Sequence, residues 1–116
     1  MAFGASKLGI TKEEMKVIAS VFNTAVAADT DILTNDWEVD ENCILRIAIS
    51  ENTGVIFKVK ITRNTTEKIF SFYENITLRP DSSYYFDILA KKGDKINFRV
   101  SANTTINRLD VFKSKE

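Results

Sequence analysis

Six carboxylates crowd one short stretch: Asp29, Asp31, Asp36, Glu38, Asp40 and Glu41. Oxygen ligands on a flexible segment are what Ca²⁺ takes, but the spacing lacks the Gly at position six and the Glu at position twelve of an EF-hand loop. Solvated charge on the edges of a strand and its turns fits the stretch better. The 16 acidic residues could also supply a paired-carboxylate hydrolase. Most of them fall in turns or at outward strand positions, where charge meets water. The chain has no histidine, which removes the usual general base and the commonest metal ligand. With one cysteine, no Ser-His or Cys-His pair and no ordinary zinc site can be built. The four glycines form neither G-x-G-x-x-G nor a phosphate-cradling G-x-x-x-x-G-K. These residues point away from an enzyme and imply no cofactor and no metal.

Binding chemistry has slightly more material. Trp37, Tyr73, Tyr84 and Tyr85 are the whole supply of Trp and Tyr. Side by side they would make a platform for sugar, though in sandwiches such rings more often close a core or cover a sheet edge. Lys58, Lys60, Arg99 and Arg108 could line up as a basic stripe. Without interleaved aromatics that is a solubilising face rather than a nucleic-acid groove. Net charge is zero, so the whole chain carries no footprint for nucleic acid or anionic lipid. The charge is nonetheless divided: residues 1–56 carry a net of −5 and residues 57–116 a net of +5. Such a dipole would favour head-to-tail contact between copies, unless strands of both halves interleave and cancel it. Three N-x-T triplets, at Asn64, Asn75 and Asn103, fall in expected loops, where glycan acceptors sit and where Asn and Thr are also ordinary turn residues.

The elements that must hold these residues are short and alternating. Cys43, Leu45, Ile47 and Ile49 form one apolar row, and Val55, Phe57, Val59 and Ile61 form another. With Glu51-Asn52-Thr53-Gly54 between them, they read as an antiparallel hairpin spanning Cys43–Thr62 with one face in a core. Cys43 then acts as a small buried hydrophobe. Further strands are expected over 24–27, 31–39, 68–73, 84–90, 95–101 and 106–112, with Leu78 as an inward plug. Turns are expected at Arg63–Thr66 and Lys91–Asp94. Ahead of them, Thr11 and Glu14 make a capping box, and Met15, Ile18, Ala19 and Phe22 follow at helical spacing. A helix over Lys12–Phe22 is therefore expected, preceded by a loose arm. The division is an arm and amphipathic helix over 1–23 and a sandwich over 24–116. The fold class is all-β, an antiparallel β-sandwich or jelly roll of about eight strands. No 18-residue apolar run spans a membrane, and the first residues lack the apolar core of a secretory signal.

Two stretches carry a resemblance: ADTDILTNDWEVDENCILRIAI and SYYFDILAKKGDKINFRVSANTTINRLDVF. Their layout, covering Asp29–Phe112, is similar to small β-sandwich structural proteins of viruses and phages, such as head-decoration or tail-associated subunits. Carbohydrate-binding modules share it. The resemblance implies a non-enzymatic virion subunit, assembled in the host cytoplasm, that meets copies of itself or other shell proteins. It also implies that an N-terminal segment grips a neighbour. Phe3, Leu8, Ile10, Met15, Ile18, Ala19 and Phe22 are the expected assembly contact. The alternative is a sandwich module that binds sugar or a cell surface.

Overall fold

The computed structural model describes residues 15–115. In chain order the strands are β1 (Met15–Val26), β2 (Trp37–Glu38), β3 (Cys43–Glu51), β4 (Phe57–Arg63), β5 (Thr66–Ser71), β6 (Tyr84–Ala90), β7 (Lys95–Val100) and β8 (Thr104–Lys115), with one 3₁₀ turn at Phe72–Asn75. They form two antiparallel sheets, ordered β1-β8-β3-β6 and β2-β7-β4-β5. Four of the ladders nest: β4 with β5, β3 with β6, β2 with β7 and β1 with β8. The chain is thus one long double ribbon with its tip at Asn64-Thr65. It is rolled so that β8 comes to lie beside β3 and β7 beside β4. This is the jelly-roll arrangement of a β-sandwich.

The inward rows fill the space between the sheets. Leu45, Ile47 and Ile49 from β3 meet Phe57 and Val59 from β4, with Ile96, Phe98 and Val100 from β7 and Leu109 and Val111 from β8. At the centre Phe57 stacks on Phe98 with ring centroids 5.5 Å apart and on Phe72 at 5.6 Å, and Phe72 lies 3.9 Å from Phe86. Leu78 is buried as expected and donates its N–H to the Val55 carbonyl at 2.8 Å. Cys43 points inward and is fully buried.

Several expectations are corrected. β3 and β4 do not form a hairpin. They lie in opposite sheets, and residues 52–56 cross between the layers. Both inward rows are real, but alternation fixes only which face is buried and not which strand is the partner. The loop itself behaves as its glycine requires: Gly54 has φ +85°, where a side chain would be strained. Buried Glu51 ties that loop by accepting from the N–H groups of Thr53 and Gly54. The true two-residue hairpin is at Asn64-Thr65, where Asn64 takes φ 59°.

The second correction is the helix. From Met15 to Phe22 the chain is strand, paired to β8 along its length. Residues 12–14, and Phe3, Leu8 and Ile10 of the arm, lie outside the described residues. A bulge at Ile18 breaks the alternation and mimics helical spacing. β-Branched Val17, Ile18, Val21 and Val26 favour the pleated form over the helix. β1 also runs through the expected boundary at residue 23, so residues 15–23 belong to the sheet. The expected strand at 31–39 is shorter, reduced to Trp37–Glu38.

Candidate assembly surface

The outer faces of the two sheets are built differently. On the β2-β7-β4-β5 sheet, Lys58 and Lys60 of β4 stand outward beside Arg99 and Asn97 of β7. The acidic segment lies along this face. Asp29 and Ile32 donate their N–H groups to the carbonyls of Val100 and Phe98 at 2.8 and 2.9 Å. Asn97 accepts from the Leu33 N–H at 2.9 Å and donates to the Asp36 carboxylate at 2.7 Å. Asp31 then bridges two cations, Lys60 at 2.7 Å and Arg99 at 2.9 Å, while Asp29 reaches Lys58 at 3.4 Å. Asp36 and Glu67 lie 3.8 and 3.9 Å from the Lys60 ammonium, whose side chain is 7% exposed. The acidic cluster and the basic stripe of the sequence are therefore two halves of one clamp. Arg108 stands apart from it, on β8 of the other sheet. Lys113 likewise pairs with Asp40 at 2.7 Å and Glu41 at 2.8 Å. The charge division between chain halves is in large part spent within the molecule. Among the described residues no three acids or cysteines gather as a metal site.

The β1-β8-β3-β6 sheet has no such cover among the described residues. Register places Val17, Phe112, Arg46 and Asp87 in one outward row, and Ser20, Asp110, Ala48 and Tyr85 in the next. Phe22 lies opposite Arg108, and Leu89 opposite Ile44. Four large apolar side chains project into solvent here: Phe22 is 77% exposed, Leu89 68%, Val17 58% and Tyr85 57%. The charges beside them are paired within the face. Arg46 donates twice to Asp87, at 2.8 and 2.9 Å, and Asp110 accepts from Arg108 and from the Ser20 hydroxyl. The face thus combines exposed apolar side chains with locally cancelled charge, a composition common in surfaces that bind partners.

Of the expected contact residues, Phe22 stands on this face. Ile18 and Ala19 pack partly buried against the core and so serve the sandwich itself. Met15 belongs to β1, but its side chain is not described. Leu89 stands on the same face, as alternation requires: with Tyr84, Phe86 and Ile88 inward, Tyr85 and Leu89 point out. The sugar platform does not form among the described side chains. Trp37 and Tyr84 pack against the core, the Tyr84 hydroxyl accepts from the Arg79 N–H, and Tyr85 points to the opposite side. The side chain of Tyr73 is not described.

Acid should weaken this network. Hydrogen bonds from Arg46 and Arg63 hold Asp87 and Asp94 below the ordinary carboxylate range. For Asp31 and Asp110, burial pushes upward but is outweighed by the donors Lys60 and Arg99, and Ser20 and Arg108. A carboxyl whose folded value is depressed stabilises fully above its unfolded value, about pH 4, and loses that contribution as pH falls through the folded value. With no histidine to titrate, thermal midpoints should be nearly flat from about pH 8 to 5 and fall steeply below about pH 4. Calorimetry across that range checks both limbs.

No family model matches this chain, and no curated protein does. Among solved structures it is similar to the C-terminal domain of A223, a structural protein from Sulfolobus turreted icosahedral virus. The two are 19% identical, superpose with a TM-score of 0.55, and the match covers 87% of this chain and 99% of that one. At that identity the likeness is one of fold, shared with a virion structural protein of the kind the sequence layout resembles.

Proposed function

We propose that this protein is a non-enzymatic structural subunit of a virus particle, working by contact through the bare face of its β1-β8-β3-β6 sheet. The observation that carries the reading is the contrast between the two outer faces. One is occupied by the chain's own acidic segment, and the other displays Val17, Phe22, Tyr85 and Leu89. The shared fold with a virion structural domain supports the particle setting. A role in decorating a capsid or in a tail fits the same surface, with neighbouring copies or other shell proteins as partners.

Light scattering and electron microscopy of the purified chain test this. Species larger than a dimer are expected, and the pair Phe22→Asp and Leu89→Asp should remove them while the circular dichroism spectrum stays unchanged. Both residues are exposed, so the fold should tolerate the change. Assembly that ignores these substitutions would overturn the assignment of the face, and a strict monomer at high concentration would overturn self-assembly.

A further inference from the structure

The bare face is not the only unfinished surface. β5 ends its sheet, and among the described residues it pairs on one side alone, with β4. Five of its six residues are exposed, and its sixth is half-buried. Both its rows carry apolar side chains. Outward lies Ile69, 43% exposed, between Glu67 and Ser71. On the inward row lies Phe70, 51% exposed, next to Lys68. An open groove lined by Ile61, Arg63, Asn64, Thr66, Lys68 and Phe70 runs along that inward row. The strand has no proline and no bulge, and among the described residues no loop pairs with its free side; these are the usual ways to blunt an edge. What it does have is one lysine.

We infer that β5 is a docking edge for β5 of a second copy, paired antiparallel about a two-fold axis at Ile69. Sequence and register select this arrangement. In an antiparallel pair, residues directly opposite share a face. A centre at Lys68 would oppose two ammonium groups, and one at Glu67 would oppose two carboxylates. A centre at Ile69 opposes Ile69 to its own copy, Glu67 to Ser71, and Lys68 to Phe70. No like charges meet, and the lysine lies across from an aromatic ring, a favourable contact for a cation. A centre at Phe70 would set Lys68 across from Phe72, but Phe72 has left the strand for the 3₁₀ turn and stacks on Phe57 and Phe86 in the core, so Lys68 meets an exposed ring only in the register centred at Ile69. The joined edges cover both exposed apolar residues and extend the four-stranded sheet into a continuous one of twice the width. A two-fold contact of this kind closes on itself.

The register makes a sharp test. With the sheet-face contact removed by Phe22→Asp and Leu89→Asp, sedimentation over a dilution series should show a reversible dimer. Amide hydrogen exchange at residues 66–71 should slow as concentration rises. Phe70→Lys sets Lys68 against a lysine twice per dimer and should weaken association at least about tenfold. Phe70→Glu sets Lys68 against a carboxylate and should hold the dimer within about threefold of the parent. If the two variants weaken it equally, the contact is plain apolar adhesion and the register is wrong. Exchange at 66–71 that is independent of concentration would remove the edge contact altogether. The Phe22→Asp and Leu89→Asp chain should keep the β5 protection, which separates this contact from the sheet-face contact.

Discussion

Replacing Phe57 by alanine is expected to cost about 3–5 kcal/mol of folding stability, the range for deleting a large buried ring. Phe57 is fully buried and touches three other rings, Phe72, Phe86 and Phe98. Those rings come from both sheets and from the 3₁₀ turn, so no single neighbour can move in to fill the hole without disturbing a layer. A domain of this size has about 5–15 kcal/mol in hand. The thermal midpoint should therefore fall by roughly 15 °C or more. Differential scanning calorimetry measures it. A cost below about 1 kcal/mol would show that the stack is not the centre of the core.

The second large effect is expected at Asp31. Removing one partner of a fully buried ion pair costs about 3–5 kcal/mol, because the other charge is left without compensation. Asp31 holds two cations, of which Lys60 is nearly buried. Two features reduce the figure. The Asp31 side chain is 34% exposed, so water already screens it, and Asp36 remains 3.8 Å from Lys60. Asp31→Ala should then cost about 2 kcal/mol, with a smaller loss for Asp31→Asn. Lys60→Met should be close to neutral on its own, since an apolar chain of similar volume carries no charge to bury. Placed in the Asp31→Ala background, it should recover about half of the loss. Urea melts of the four proteins form the cycle, and a Lys60→Met variant less stable than Asp31→Ala would overturn the clamp as described.

How much of this was legible in the residues depends on the kind of signal. Inward rows such as Ile96-Phe98-Val100 and Tyr84-Phe86-Ile88 were readable because a period of two needs no knowledge of the partner strand. The turn glycines were readable because Gly54 and Gly93 both sit at positive φ, a local demand. Strand partnership was not. Cys43–Glu51 and Phe57–Arg63 look like a hairpin from sequence, because two rows facing each other across a core alternate just as two rows side by side do. The Met15–Phe22 error came from one inserted residue, Ile18, which shifts the phase of the pattern while the pairing to β8 continues. For the surface, the six acids could be seen in sequence and so could the four cations. Their meeting could not, because Asp31 and Arg99 are brought together only when β7 lies beside the segment that precedes β2.

The nested ribbon also sets an order in time. The tip at Asn64-Thr65 joins strands that are already neighbours, whereas the Ser20–Asp110 bond closes a separation of 90 residues. Loop-closure entropy grows with the logarithm of that separation, so the inner ladder can form early and the outermost one must wait for the layers between. β1 is therefore expected to be the last strand fixed. Its outward residues, Val17 and Phe22, belong to the bare sheet face, so the face is completed only when the roll has closed. A chain caught midway would lack β1's part of that face, so any contact that uses the whole face has to follow folding.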